Sequence, residues 1–364
     1  MKYLCSNCFC ESVNEQGICT ACGHDSVKSL RSFPLALPPG TILYGRYVLG
    51  RVLGQGGFGI TYLAQDFQTN QIVAIKEFFP DSMATRLSTY HVRPHTGERG
   101  EHFSYGKACF LDEAKTLARF NGNSGIVGVR MYFEENDTAY LVMEYVDGVS
   151  FQKYLDNVGG RIFWNDAVEI MSPVLDALAV VHEQGIIHRD VTPDNIYITR
   201  EGNVKLLDFG AARYSLGDVS RSLDVVLKHG YAPKEQYSRR GRQGPYTDVY
   251  AACATLYYAV TGAKPNDAIE RVDMDHLLSP SAVGVSLRVE EEQILMKGLA
   301  VRPEDRYQSA AELRDALNAV RSYRGKNEER PVELAKPDKK KWVWIGTGIA
   351  AAVLLTGILL FWLL

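Results

Sequence analysis

Residues 41–53 (TILYGRYVLGRVL) and 60–67 (ITYLAQDF) are rich in β-branched and aromatic residues and flank a glycine-rich stretch, a pattern that predicts a β-hairpin. A third apolar strand, residues 73–76 (VAIK), ends in a lysine. Residues 110–120 (FLDEAKTLARF) place apolar side chains at 110, 111, 114, 117 and 118, the spacing of one helix face. Between these elements, residues 80–106 are polar and glycine-containing and read as a loop. Residues 140–148 (YLVMEYVDG) read as a buried strand entering a turn, and residues 196–199 (IYIT) and 204–207 (VKLL) as two strands joined by a turn at Glu201, Gly202 and Asn203. Residues 342–364 contain no charged side chain at all.

Composition adds little until it is divided along the chain. Hydrophobic residues make up 46% of the 364 and charged residues 23%, so a large core is possible and general disorder is excluded. The net charge of −3 argues against a generic nucleic-acid binder. The 7 cysteines are too few for a disulfide scaffold, yet five of them (Cys5, Cys8, Cys10, Cys19, Cys22) fall near the start of the chain. Cys5 and Cys8 form one CxxC pair, and Cys19 and Cys22, followed by Gly23, form another. Two such pairs can deliver four thiolates to one tetrahedral Zn²⁺, and a segment with so few large apolar residues needs a metal to fold. Residues 1–30 therefore resemble a small zinc ribbon, with Cys10 and His24 as bystanders. The alternatives are paired disulfides or loose thiols; disulfides need an oxidising compartment, which a start without an apolar leader core does not suggest.

At the other end, Lys339, Lys340 and Lys341 precede the uncharged run of residues 342–364. At about 1.5 Å per residue such a run spans roughly 34 Å, against about 30 Å of bilayer hydrocarbon. Trp342, Trp344 and Trp362 sit near its ends, as interfacial aromatics do, and the lysines put the preceding domain in the cytoplasm. The expectation is a membrane span that inserts as tail anchors do, with no extracellular sensor domain. Residues 31–40, rich in proline, read as a linker, and residues 324–341, polar with Pro331 and Pro337, as a juxtamembrane tether. One large domain, residues 41–323, lies between.

Within it, Gly54, Gly56, Gly57 and Gly59, with Gln55 and Phe58 among them, have the spacing that lets a hairpin backbone approach phosphate oxygens. A strand rather than a helix follows, which opposes a dinucleotide-binding reading. Downstream, His188, Arg189 and Asp190 are followed by Asn195, and after a hairpin by Asp208, Phe209 and Gly210. Asp190 is a candidate base, and Asn195 and Asp208 are oxygen ligands suited to hard cations.

In this order, the glycine loop, VAIK, HRD with Asn195, and DFG resemble the eukaryotic-like Ser/Thr protein kinase family of bacterial type. The resemblance runs from about Tyr44 to Arg321 and includes Ala232, Pro233 and Glu235 at the APE position, Asp248, and Arg306. It implies an α+β, bilobal fold: a small lobe with a five-stranded sheet and one key helix, a larger helical lobe, and ATP between them. It further implies that Lys76 holds the α- and β-phosphates and is fixed by Glu113, and that Asn195 and Asp208 bind Mg²⁺. Asp190 would orient the attacking hydroxyl and accept its proton. The backbone of Glu144 and Val146 would pair with adenine, Met143 would guard the back of the pocket and Ala74 would roof the ring. Glu235 and Arg306 would form a structural ion pair, and Arg189 a pocket for a phosphorylated activation segment.

Three positions depart from the family pattern. Thr61 stands where Val usually covers the adenine, and Tyr197 where Leu or Met floors it. Thr192 stands where Ser/Thr kinases usually carry a catalytic-loop Lys, while Lys228 aligns with the usual activation-segment Thr. A reciprocal exchange would keep one ammonium and one hydroxyl in the same small volume; the alternative is a tolerated loss at Thr192 with a solvated Lys228.

The function implied is phosphoryl transfer from ATP to Ser or Thr hydroxyls of proteins, with autophosphorylation favoured by a shared membrane plane. A pseudokinase or nucleotide-binding scaffold presenting partners at the membrane is the competing class, and a small-molecule kinase is disfavoured by the APE-like and Arg306 features. Ser215, Ser220 and Ser222 are candidate phosphorylation sites, and no specific nucleic acid is expected as a partner.

Overall fold

The protein is seen in a computed structural model that describes residues 4–208, 227–238 and 241–324. Ser215, Ser220 and Ser222, most of the expected tether and the whole uncharged run 342–364 lie outside the described residues. Among the described residues no helix is long and apolar enough to cross a membrane.

The chain opens with a cysteine-bearing knuckle and a short helix α1 (Ser26–Ser32), and then enters a six-stranded antiparallel sheet. Its strands are β1 (Ile42–Leu43), β2 (Tyr47–Gly56), β3 (Gly59–Asp66), β4 (Gln71–Phe78), β7 (Val129–Glu135) and β8 (Thr138–Glu144), in the spatial order β1-β2-β3-β4-β8-β7. The two-residue β1 makes six strands where the resemblance implies five. The hairpin turn between β2 and β3 is the glycine loop, with Gly56 opposite Gly59.

The loop expected over residues 80–106 is instead largely ordered. It contains a hairpin of β5 (Ala84–Arg86) and β6 (Val92–Pro94), and helix α2 (Glu98–Leu117) begins within it, twelve residues before the expected start. The polar composition concealed a buried pattern: His102, Phe103, Gly106, Cys109 and Phe110 face inward at helical spacing. The Phe103 and Phe110 rings lie 5.3 and 5.7 Å from that of Phe78 on β4. Gly106 allows the close approach, since a Cβ there would lie 2.8 Å from Phe78 Cζ.

The hairpin is anchored by charge. Glu77, fully buried, accepts hydrogen bonds from Arg86 Nη1 and Nη2 at 3.0 and 2.7 Å and from the hydroxyls of Tyr62 and Tyr140 at 2.8 and 2.9 Å. A buried carboxylate is tolerable only with its lone pairs so engaged. Arg86 Nε donates to the Leu35 carbonyl at 2.6 Å, and the Leu37 N–H donates to Tyr62 Oη at 3.0 Å. The segment expected as a linker thus packs on the sheet, with Leu37 buried in the core.

The second lobe is built from α3 (Phe151–Val158), α4 (Trp164–Glu183), α5 (Pro245–Thr261), α6 (Val289–Gly298) and α7 (Ala310–Arg324). Helix α5 is buried along nearly its whole length, so it carries a continuous run of small and apolar residues. A three-stranded sheet of β9 (Gly148–Ser150), β10 (Ile196–Thr199) and β11 (Val204–Leu206), ordered β11-β10-β9, lies between the lobes and presents the loops on either side of it to the cleft.

Candidate active site

The loop from His188 to Asn195 is held from beneath by the first turn of α5. Asp248, fully buried, accepts from the backbone N–H groups of His188 and Arg189 at 2.8 and 2.6 Å, and its Oδ2 lies 2.7 Å from His182 Nε2. These bonds fix the backbone where Arg189 adopts a φ of 72°, a left-handed conformation costly for a residue with a Cβ. The N–H of Asp190 donates to His188 Nδ1 at 3.2 Å, which makes Nδ1 the acceptor. His188 Nε2, 3.0 Å from the Leu207 carbonyl, therefore carries the proton. Burial holds the His188 imidazole below its ordinary pKa, consistent with this neutral tautomer. Burial also pushes the Arg189 guanidinium down to about 9, partly opposed by Asp248.

Asn195 draws the two ends of the site together. Its Nδ2 donates to the Asp190 carbonyl at 2.8 Å, and its own carbonyl accepts from the Leu207 N–H at 2.8 Å. Asp208 follows at a φ of 52°, and Lys76 Nζ on β4 donates to Asp208 Oδ1 at 2.6 Å. Burial would lower the Lys76 ammonium, but Asp208, then Glu113 and Asp190 hold it above its ordinary value. Glu113 is buried on the inner face of α2, its charge reaching Lys76. Lys76 on β4, Glu113 on α2, Asp190 and Asn195 on one loop, and Asp208 after β11 thus gather from four separate segments around one cleft.

Gly54, Gly56 and Gly57 have open space where a Cβ would stand, whereas a Cβ on Gly59 would collide with the Glu77 carbonyl. Across β3 and β4, Thr61 stands directly opposite Lys76 and Leu63 opposite Ala74, and Ala74 pairs with Met143 on β8. Met143 and Val146 are buried. Glu144 is fixed through its side chain, which accepts from the Gly128 N–H at 2.9 Å and from Lys205 Nζ at 2.6 Å. Tyr197 sits on β10, paired with Ser150 and Lys205, and burial raises its phenol.

Thr192 and Lys228 line one small pocket together with Arg189, Asp190 and Tyr231. The Thr192 hydroxyl is buried without a hydrogen-bond partner among the described residues, and so is that of Tyr231. Lys228 Nζ lies 3.1 Å from Asp194 Oδ2. The exchange of residue types noted in the sequence therefore falls within one volume, with the ammonium resting on Asp194. Glu235 and Arg306, both buried, form a bidentate pair at 2.7 and 3.2 Å.

Far from this pocket in sequence, Cys5, Cys8, Cys19 and Cys22 bring their sulfurs within 4.8 Å of one another. Cys5 Sγ lies 3.6 Å from Cys22 Sγ, Cys8 Sγ lies 3.6 Å from Cys19 Sγ, and the Asn7 N–H donates to Cys5 Sγ at 3.4 Å. Four sulfurs so gathered, with a backbone amide turned toward one, fit a tetrahedral thiolate site for Zn²⁺. Neither Cys10 nor His24 joins the group.

A family model described as "Protein kinase domain" matches residues 47–313. The serine/threonine-protein kinase PknB of Mycobacterium tuberculosis is 33% identical over 310 residues, which cover 82% of this chain and 46% of that protein. The chain thus spans about half the length of the curated relatives it matches. Among solved structures, "PpkA-294 apo form" superposes with a TM-score of 0.69 at 33% identity, covering 78% of this chain and 99% of that one. The M. tuberculosis PknI kinase domain superposes with a TM-score of 0.61 at 24% identity, covering 79% and 100%, a likeness of fold.

Proposed function

This chain belongs to the protein kinase family, and from that premise we propose that it transfers the γ-phosphoryl group of ATP to Ser or Thr hydroxyls of proteins, itself among them. The observation that carries the proposal is the convergence of Lys76, Asp208, Asn195 and Asp190 on one cleft beneath the glycine loop. ATP supplies the phosphoryl group, and Mg²⁺ neutralises the charge that develops on it. Lys76 holds the phosphates and, once they are bound, exchanges its contact with Asp208 for them. Asp208 and Asn195 offer hard oxygen donors, which suit Mg²⁺; with Asn195 Nδ2 engaged on Asp190, its Oδ1 remains for the metal. Asp190, oriented through His188 and Asn195, receives the proton of the attacking hydroxyl. The amides of Gly54 to Gly59 cover the phosphates, and Lys228, beside Thr192, supplies the cation that the catalytic loop lacks.

The four cysteines hold a structural Zn²⁺; one zinc per chain by elemental mass spectrometry, lost on Cys5→Ser, is the expected result. Residues 342–364 anchor the enzyme in a membrane, supported by their lack of charge and the three lysines before them. Deleting residues 342–364 should move the protein from the membrane to the soluble fraction. Confinement to that plane favours phosphorylation between copies, so the rate of autophosphorylation per chain should fall on dilution of the solubilised enzyme. A chain that binds Mg-ATP but transfers no phosphate would instead be a scaffold.

A further inference from the structure

The cysteine knuckle does not stand apart from the nucleotide lobe. In the turn that starts at Cys5, the Phe9 N–H donates to the Cys5 carbonyl at 2.9 Å and Phe9 adopts a φ of 57°, which turns its ring onto the sheet. Phe9 is buried there against Val48 and Leu63, with Leu53, Ile72 and Tyr145 packed around them. Side chains two residues apart on a strand share a face. Leu63 therefore lies on the same face as Thr61, and Ile72 on the same face as Ala74, the face that roofs the proposed adenine pocket. Leu53 immediately precedes Gly54, and Tyr145 lies between Glu144 and Val146. The ring of Phe9 thus packs at the rim of the cleft, next to both the root of the glycine loop and the hinge.

A polar tie runs beside the apolar one. The Arg51 N–H donates to the Ser6 carbonyl at 2.6 Å, and Arg51 Nε donates to Asn7 Oδ1 at 2.6 Å. Asn7 in turn donates its backbone N–H to Cys5 Sγ at 3.4 Å and its Nδ2 to Cys22 Sγ at 3.6 Å. One residue, Asn7, therefore joins two sulfurs of the proposed metal site, through its backbone N–H and its side chain, to the strand that carries the glycine loop. Burial raises the Tyr197 phenol, and the charge of Arg51 partly opposes that rise. Gly50 permits the docking, because a Cβ there would collide with the Ser6 carbonyl and lie 2.7 Å from Phe9 Cζ.

We infer that the knuckle is a wall of the nucleotide cleft: with the four cysteines closed on a metal, Asn7 and Phe9 hold Arg51 and Leu53 in place, and emptying the site weakens nucleotide binding. This rests on the readings of the chain as a kinase and of the cysteines as a zinc site. An independent module tethered to the lobe would leave nucleotide affinity untouched.

The test is a titration of the purified full chain with Mg-ADP by calorimetry, with zinc content measured on the same samples. Asn7→Ala breaks the polar tie, Gly50→Val undocks the knuckle without touching a cysteine, and Cys10→Ser, outside the sulfur cluster, is the control. Asn7→Ala, Gly50→Val and chelated wild type should each raise the Kd about tenfold, the size of effect set by one lost hydrogen bond, while Cys10→Ser leaves it unchanged. Because Gly50→Val risks misfolding, Asn7→Ala with zinc retained is the deciding sample. An unchanged Kd in that sample overturns the inference and leaves the kinase reading standing. Wild type that binds no Mg-ADP overturns it together with the kinase reading, and wild type that holds no zinc overturns it together with the metal reading.

Discussion

Lys76 and Asp208 are 132 residues apart in sequence, yet Lys76 Nζ lies 2.6 Å from Asp208 Oδ1. Each is only partly shielded, with side-chain exposures of 21% and 43%, so the pair is open to exchange with a ligand. Phosphate and metal, arriving together, offer each group a better partner. Asp208→Asn should therefore abolish phosphate transfer and also the Mg²⁺ dependence of nucleotide affinity, which calorimetry with and without Mg²⁺ measures. Retained Mg²⁺ dependence in the variant would place the metal elsewhere.

The glycine loop separates binding from stability. Gly54 and Gly56 face open space, so Gly56→Ala should leave the melting temperature within about 1 °C, as an exposed substitution does, while weakening ATP binding by restricting backbone approach. Gly59→Ala should destabilise the lobe, because its methyl collides with the Glu77 carbonyl. Thermal melts paired with KM for ATP distinguish the two.

Thr192 and Lys228 make a reciprocal prediction. Lys228→Ala should lower kcat by about 10²-fold or more, the loss typical of a group that stabilises transition-state charge. The double variant Thr192→Lys, Lys228→Thr should recover much of it, because the two residues line the same pocket. Near-normal turnover in Lys228→Ala would reduce Lys228 to a surface lysine held by Asp194.

Glu235 and Arg306 support the large lobe rather than the chemistry. The carboxylate also accepts from Thr247 Oγ1 at 3.0 Å, and Arg306 Nε donates to the Ala300 carbonyl at 2.7 Å. Removing one partner strands a buried charge, at about 3 to 5 kcal/mol. Glu235→Ala should thus lower the melting temperature by roughly 6 to 10 °C in a domain of this size.

What the sequence revealed and what it hid follow from how local each signal is. The glycine loop, HRD and Asp208 were legible because their chemistry is written in residue types at short spacing, and the structure brings Lys76, Asp190, Asn195 and Asp208 to one cleft, while Phe209 and Gly210 lie outside the described residues. The start of α2 was not legible. Phe103 and Gly106 are inward-facing there because Phe78, on a separate strand, packs against them. Glu77 looks like an exposed acid beside Lys76, and its burial depends on Arg86, Tyr62 and Tyr140, none of which a periodic pattern connects to it. The docking of the knuckle was hidden for the same reason: Phe9 and Gly50 carry meaning only as a pair, and a run of prolines between them suggested separation.

The central claim is phosphoryl transfer by Asp190 and its neighbours, and it is tested most directly by incorporation of labelled γ-phosphate from Mg-ATP into wild type and Asp190→Asn at equal nucleotide occupancy. Wild type should label itself on Ser or Thr, and Asp190→Asn should bind nucleotide normally yet label at least about 10²-fold more slowly, as loss of a general base requires. Equal labelling of the two, or saturated nucleotide binding by wild type with no labelling, would contradict it.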